Sequence, residues 1–519
     1  MKLSIKKIPG SIPGIVYVLA VLTAVFPIFK DFFNLTSFSA LQDSQTMRIL
    51  FFTFYQALLS SIASLVVSII PAYYSWRKKN ILSAMIDLSF FIPFFFPVVS
   101  MTIAFTALYG RSGLFFALFP GVSLSYSLIG IVVAHVFYDS PIFVKYISEG
   151  LRSVPQSLCE SAQMDGASKT VIFFSIQLRL ILPALVKAFL LVFTYCFMSF
   201  GVILSIGGMK FSTVEVAISS TISSSFDFSK AIVLCAVQFL VIFLLNYTGS
   251  KFTSFEGSVQ TYPSSKRTAL FTGVFSFIYV LFEYSLIVLS LAGGFFNFQA
   301  SRFDLSGLIN LFSGPVNAKY GISASLINSS SVSLITALIC TVLAYIMLRV
   351  SSRFSEVIIL SCLGISPAFI SIALLYLNIS WLVPYPLLLV FGYVLLNMPI
   401  AFSFMYQPVK AFPSVITEAA KMDGATSVKI FSRIHFPLMY RIFVSSFLQI
   451  FAIIFGEFTM IYTMQIQKTF PMVSITNYIL SSNRMFKESN ALSSLSIFIV
   501  ISVFFFSKIL EKKHRSLLE

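Results

Sequence analysis

Two stretches of the chain carry the same polar and conformationally special residues at a fixed distance. One reads Pro155-Gln-Ser-Leu-Cys-Glu160-Ser-Ala162-Gln-Met-Asp165-Gly166-Ala-Ser. The other reads Pro413-Ser-Val-Ile-Thr-Glu418-Ala419-Ala420-Lys-Met-Asp423-Gly424-Ala-Thr, at an offset of 424 − 166 = 258. Ile172 and Ile430, Phe173 and Phe431, and Ile176 and Ile434 coincide under the same offset. The pattern predicts a short helix that starts at the proline and stops at a glycine able to take the left-handed conformation. Ala162, Ala419 and Ala420 offer a small face for close contact. Glu, Asp and Lys interleave with them, so that contact is not with lipid. A short helix of this kind fits a groove on a soluble partner.

Other residues with chemical potential are sparse. Glu457 lies within an apolar run, where an ionised acid costs about 3 kcal/mol and faces a cavity or a partner. Its counterpart under the repeat is Ser199. One acid in one half suits an asymmetric path for a cation, and Glu457 and Ser199 are the candidate pathway residues. Glu283 and Asp87 are weaker candidates of the same kind, and His135 reads as a packed, hydrogen-bonded histidine. The five cysteines and three histidines are scattered, with no CxxC spacing and no metal-ligand cluster. The chain has no G-x-x-x-x-G-K-[ST] phosphate loop, so no ATP or Mg site is expected on it.

The elements that must position these residues are transmembrane helices. The 519 residues are 57% hydrophobic and only 10% charged, with a mean hydropathy of +0.92. A soluble domain carries about 25% charged residues. Apolar runs long enough for a bilayer occur near 13–29, 49–75, 81–109, 126–149, 181–206, 229–248, 268–293, 326–348, 357–378, 384–407, 441–463 and 489–508. They predict an all-α integral membrane protein of about twelve spans. The runs are continuous rather than alternating, which excludes a β-barrel. The basic Met1–Lys7 segment leads into an uncleaved first span rather than a signal peptide.

The net charge of +16 is distributed as loops on one side of a membrane would have it, not as a nucleic-acid surface. Lys2, Lys6, Lys7, Arg77, Lys78, Lys79, Lys251, Lys266, Arg267, Arg349, Arg353, Lys512, Lys513 and Arg515 share one side when twelve spans are counted. The positive-inside rule makes that side, and both termini, cytoplasmic. The polar stretch 251–267 reads as a linker between repeats 1–250 and 268–519, each of six spans in the same orientation. Both copies of the short-helix motif then fall in a cytoplasmic loop.

That loop resembles the signature EAA loop of binding-protein-dependent ABC importer permeases: Glu-Ala-Ala, three residues, Gly, nine residues, Ile-x-Leu-Pro. The second copy matches with Glu418, Ala419, Ala420, Gly424, Ile434 and Pro437, with Phe436 for Leu. The first departs at Ser161 and at Arg179. The resemblance implies that each loop is a coupling helix seated on an ATP-binding subunit, with Glu160 and Glu418 orienting it and Gly166 and Gly424 permitting its turn. It implies two copies of a cytoplasmic ATP-binding subunit, which would hold the ATP and Mg, and a periplasmic or lipid-anchored substrate-binding protein. The chain itself would be no enzyme, and its place would be the bacterial inner membrane. Two fused repeats resemble the iron(III) and thiamine importer permeases. Tyr109–Gly113, Ala134–Pro141 and Ser205–Ile218 look like thiamine permeases, with departures at Met209 and Ser219. The implied substrate is thiamine or a thiamine phosphate, with iron(III) as the alternative. A secondary transporter is the competing class.

Overall fold

A computed structural model describes residues 8–33, 35–90, 96–111, 113, 115–116, 123–250, 270–297 and 302–518. The predicted linker 251–267 lies outside them. The described residues are all-α but for one pair of two-residue strands, β1 (Phe296–Asn297) antiparallel to β2 (Arg302–Phe303). Among the described residues, ten helices are long and apolar enough to cross a bilayer. The pair Ile358–Gly364 and Pro367–Ile379, which meet at 94°, forms a broken span or a re-entrant loop.

The helices that carry the argument are, in the first part of the chain, α1 (Ile8–Phe32), α2 (Ser44–Arg77), α3 (Ile81–Ser89), α4 (Val98–Tyr109), α5 (Leu128–Ser153), α6 (Gln156–Met164), α7 (Leu178–Phe197), α8 (Val214–Ser225), α9 (Phe228–Ser250) and α10 (Leu270–Ala292). The second part adds α11 (Ile322–Val350), α12 (Arg353–Ser361), α13 (Pro367–Trp381), α14 (Tyr385–Lys410), α15 (Ser414–Met422), α16 (Phe436–Phe455), α17 (Thr459–Met464), α18 (Val473–Ser482) and α19 (Phe486–Leu518). The eight helices α2 to α9 are repeated as α11 to α19, with the extra helix α17 standing where the first repeat has the turns Ile203–Gly207 and Gly208–Lys210. The offset is 258 at α6 and α15 but 350 − 77 = 273 at the ends of α2 and α11. The difference is the long connection 110–127 between α4 and α5, which in the second repeat is only 382–384. The continuous span expected over 81–109 is instead α3 and α4, with 91–95 outside the described residues. The spans expected over 181–206 and 441–463 are interrupted after Phe197 and Phe455.

Packing divides the chain differently from the repeat. One compact unit is Asn34–Gly293; the other is Met1–Phe33 with Gly294–Glu519. Helix α10 therefore packs with the first repeat, where Tyr284 donates to the Met85 carbonyl at 3.0 Å and Ser140 to Glu283 Oε1 at 3.0 Å. Helix α1 packs with the second. There Gly14 N–H donates to Ser355 Oγ at 2.6 Å and Tyr17 donates to the Leu395 carbonyl. The compact units thus do not coincide with the expected repeats 1–250 and 268–519. Internal similarity identifies an opening helix; it does not say on which neighbours that helix packs.

Within each unit the longest contact is built on small residues. Helix α2 packs against α5 and buries Ser60, Ser64 and Ser68, with Ser60 bonded to His135 of α5, and α11 packs against α14 and buries Ser325, Ser329, Ser333 and Ala337. Spacings of four put these residues on one face, and small side chains let helix backbones approach closely where no hydrophobic drive exists between helices. Hydroxyls such as Ser61 and Ser325 bond back to their own helix, at 2.7 and 2.8 Å. The opposite face of α2 exposes Phe51, Leu58, Val66 and Ile69, as a lipid-facing side would.

A Cβ on Gly14 would lie 2.6 Å from Ser355 Oγ and 3.0 Å from its Cα, whereas nothing lies within 4 Å of one on Gly314. Gly14→Val should therefore lower thermal stability by about 1–3 kcal/mol, and Gly314→Val should leave it nearly unchanged. Melting of the detergent-solubilised protein measures both.

Candidate functional site

The two motif copies fold alike. Pro155 and Pro413 are the N-caps of α6 and α15, in extended conformation. Each nine-residue helix closes with the same three bonds. In the first loop, Asp165 N–H donates to Ser161 O at 3.0 Å, Gly166 N–H to Gln163 O at 3.0 Å and Ala167 N–H to Ala162 O at 2.9 Å. In the second, Asp423 donates to Ala419 at 3.1 Å, Gly424 to Lys421 at 3.0 Å and Ala425 to Ala420 at 3.0 Å. The bond spanning five residues is the mark of a Schellman cap, which needs a left-handed residue. Gly166 has φ +83° and Gly424 has φ +75°. Ser168 and Thr426 then cap a new helical turn. Both new helices pass through a π turn, Phe173–Gln177 or Phe431–His435, before entering α7 or α16.

The inner side of each short helix is anchored. Cys159 and Thr417, equivalent under the repeat, are buried. Thr417 Oγ1 bonds His435 Nε2 at 3.0 Å, and His435 Nδ1 bonds the Tyr345 hydroxyl at 2.5 Å. The equivalent contact in the first loop is Gln177 Nε2 to Cys159 Sγ at 3.7 Å, a weaker bond to sulfur. Just before each short helix, an ion pair ties the incoming helix to the third-span helix of its repeat. Arg152 meets Asp87 at 3.3 Å, and Lys410 meets Glu356 at 2.7 Å. Asp87, a candidate intramembrane acid in the sequence, is thus a structural partner of Arg152 and of Ser75.

The outer side differs from the expected alanine face. Ala420 is buried and Ala162 half-buried, while Ala419, Glu160, Glu418, Asp165, Asp423 and both glycines are exposed. The reason is helical period: Ala420 follows Thr417 by three residues and shares its inward face. What the outer side presents is a pair of methionines, Met164 at 89% exposure and Met422 at 88%, with Leu158 and Ile416 behind them. Glu160 accepts from Gln156 Nε2 at 2.6 Å, one turn earlier. Adaptable, polarisable methionines at the tip of a charged helix suit a protein groove.

Ser199 and Glu457 occupy equivalent helix interruptions. In the first repeat His135 Nε2 bonds Ser199 Oγ at 2.9 Å, and its Nδ1 bonds Ser60 Oγ at 3.0 Å. In the second, Tyr393 donates to Glu457 Oε2 at 3.0 Å. Tyr393 is the repeat equivalent of His135, since 393 − 135 = 258. The freed carbonyls are caught in the same way: Thr213 donates to Ser199 O at 3.1 Å and Ser474 to Glu457 O. The Glu457 carboxylate also accepts from Met460 N–H at 3.0 Å, so it caps α17. The sequence reading paired Ser199 with Glu457, and the structure puts both at helix interruptions; it named His135 as a hydrogen-bonded histidine but did not pair it with Tyr393, nor Arg152 with Lys410, nor the two methionines. The 258-residue offset picks out every one of these pairs.

This arrangement defines a class: a membrane permease of two parallel repeats, each with an exposed short helix on a glycine hinge. A family model described as "Binding-protein-dependent transport system inner membrane component" matches residues 64–250 and again 333–515. The chain belongs to that family. It is similar to the "Thiamine transport system permease protein ThiP" of Brucella suis biovar 1 (strain 1330), 28% identical over 267 residues that cover 48% of each chain. The protein of the same name from Escherichia coli (strain K12) is 27% identical over 203 residues, 38% of each. The "Probable sulfate transport system permease protein cysT" of Chlorella vulgaris is 29% identical over 36% of this chain and 71% of its own. The alignments with the thiamine proteins thus span about half of their length or less.

Two outcomes follow from the loop geometry. Gly424→Ala should destabilise the cap by about 1–2 kcal/mol through its left-handed backbone, and Gly424→Asn should cost less; hydrogen exchange at Asp423–Ala425 reads the difference. Lys410→Met strands the buried Glu356 carboxylate, so it should lower thermal stability by roughly 3 kcal/mol. Arg152→Met, at a more exposed pair, should cost under about 1 kcal/mol.

Proposed function

We propose that the chain is the membrane-spanning subunit of an ATP-driven importer. It passes thiamine or a thiamine phosphate, delivered by a substrate-binding protein, across a bacterial inner membrane with both termini in the cytoplasm. Each short helix, α6 and α15, seats on one copy of a cytoplasmic ATP-binding subunit, giving two copies per chain. ATP and Mg are held by those partners, and this chain binds no cofactor. Residues 1–250 and 268–519 are the two permease repeats.

The observation that carries this reading is the duplicated short helix with its left-handed glycine. It is anchored on one side by Cys159 or Thr417 and presents Met164 or Met422 on the other. Such a helix can move as a body with the helices behind it. The ion pairs Arg152–Asp87 and Lys410–Glu356 connect it to the third-span helices. Glu160, Asp165, Glu418 and Asp423 supply a charged rim around the apolar tip. Ser199 and Glu457 mark where the fifth spans are interrupted, and an interrupted helix at membrane depth is tolerated where it lines a cavity or is buried in protein. These residues are the proposed pathway contacts. Thiamine as substrate is supported by the names of the similar proteins and by the local resemblance at Ser205–Ile218.

The test is uptake by proteoliposomes that contain this chain, its ATP-binding subunits and its binding protein. ATP-dependent uptake of labelled thiamine is expected. Met422→Asp should reduce it at least tenfold and lower co-purification of the ATP-binding subunit, because a buried unpaired carboxylate costs several kcal/mol at an interface. Uptake that persists with no ATP-binding subunit present would overturn the reading.

A further inference from the structure

Between α10 and α11 the chain runs through 29 residues, 293–321, where the first repeat has eleven, 33–43, between α1 and α2. The described part of this connection holds the strand pair β1–β2 and two short helices, Ser306–Phe312 and Gly314–Tyr320. The first short helix packs on α19. A Cβ on Gly307 would lie 2.6 Å from the Lys487 carbonyl oxygen and 3.4 Å from the Ala491 Cβ, and one on Gly294 would meet Ser494. Residues 487–494 cover about two turns of α19, roughly 10 Å. The connection therefore lies beside the opening turns of α19 and not on top of its end. Two polar contacts hold it there: Lys487 Nζ meets Asp304 Oδ2 at 3.0 Å, and Asn310 Nδ2 donates to Glu488 Oε1 at 3.1 Å. The membrane span of α19 begins at these same residues, at Phe486. The depth of the connection is thus fixed at the edge of the bilayer.

Helical period divides the short helix Ser306–Phe312 into two apolar faces. Gly307 and Leu311 are buried on the side of α19. Leu305, Ile309 and Phe312 fall on the opposite side and are exposed, Ile309 at 69%. Phe303 of β2 stands beside them at 80%. A face turned away from the flank of a membrane-crossing helix points sideways, along the plane of the membrane. Arg302 and Lys319, near the two ends of the described part, are exposed, and neither forms an ion pair among the described residues. Lys319 Nζ lies 5.2 Å from the centre of the Tyr320 ring, a pairing suited to the headgroup level, where tyrosine and lysine anchor spans.

We infer that residues 302–320 are an interfacial anchor. Leu305, Ile309 and Phe312, with Phe303, rest among the acyl chains just below the headgroups, and Arg302 and Lys319 lie at the level of the phosphates. The leaflet is the one away from α15, because α16 crosses the membrane once between α15 and the start of α19. Three observations select lipid as the partner of this face. Contacts from Lys487 to Ser494 place it at the depth where a span enters the bilayer. Its direction is sideways, off the flank of α19. And the exposed apolar side continues on α11, at Ile327, Leu334 and Leu338, directly after the connection. A short helix with one apolar face against protein and one against acyl chains sets the depth of the helices it is tied to. The first repeat, with eleven residues at this place, has no such helix pair. The inference needs only that α11 and α19 cross a membrane.

The test reads tryptophan emission from the full chain with its ATP-binding subunits, in phosphatidylcholine nanodiscs whose acyl chains are plain or brominated near the headgroup. Ile309→Trp and Phe312→Trp are made singly, and the wild-type signal of Trp76 and Trp381 is subtracted. Brominated chains should quench each added tryptophan about twofold or more, since an interfacial helix buries its apolar face at that depth. Lys468→Trp, in the exposed turn before α18, should be quenched by aqueous acrylamide and not by bromine. If Phe312→Trp does not fold, Leu305→Trp reads the same face. An added tryptophan at either position that brominated chains leave unquenched would overturn the inference, whatever the outcome of the uptake assay. Strong acrylamide quenching in that case would show the face open to water, and quenching by neither agent would show it covered by protein.

Discussion

A left-handed backbone at Gly166 and Gly424 is the constraint on which the rest of the structure depends. It ends a nine-residue helix and reverses the chain within two residues, and it puts a new helix start at Ser168 or Thr426. Without that reversal the short helix would run on into α7 or α16, and no exposed element would connect to the membrane helices. No heavy atom lies within 4 Å of a Cβ built at either glycine, so the requirement is conformational and not one of space. Each loop then has an inward face fixed by its own unit and an outward face left to a partner.

The two repeats use this device with unequal fixings. In the second, Thr417, His435 and Tyr345 form a chain of hydrogen bonds from the short helix through the π turn to α11. In the first, Gln177 and Cys159 make one long contact to sulfur. The same inequality appears one step back, where Glu356 is buried and bonded by Lys410, Ser351 and Tyr406, while Asp87 is half exposed. It appears again at the interrupted fifth spans, where His135 bonded to Ser199 in the first repeat corresponds to Tyr393 bonded to Glu457 in the second. Two copies of one unit within a single chain are free to diverge in this way, since each need fit only its own surroundings. The result is two copies of one loop held by unequal sets of bonds.

Much of this was legible in the sequence because the informative residues are polar or special in an apolar chain. Proline, glutamate, aspartate and glycine recurring at one offset could be read as a helix, a stop and a second helix, and they fold so. Three features were not legible. The inward turn of Ala420 was obscured by reading the alanines as one face rather than counting helical period from Thr417. The exchange of α1 and α10 between units was hidden because lipid-facing helices look alike, and a single glycine, Gly14, makes the close approach to Ser355. The third is the setting of Glu457, which accepts from Met460 N–H and from Tyr393, because nothing local in the sequence announces either bond. The distant partner was needed, and only the offset linking His135 to Tyr393 pointed to it.

The central claim is that α6 and α15 are the two contact points for ATP-binding subunits. Site-directed cross-linking tests it most directly: Met164→Cys and Met422→Cys, each introduced singly into the assembled transporter, with a bifunctional thiol reagent and mass-spectrometric readout. The account predicts a cross-link from each position to an ATP-binding subunit, and two such subunits bound to one chain when both positions are used. Cross-links from neither position, in a complex that still hydrolyses ATP in response to substrate, would contradict it.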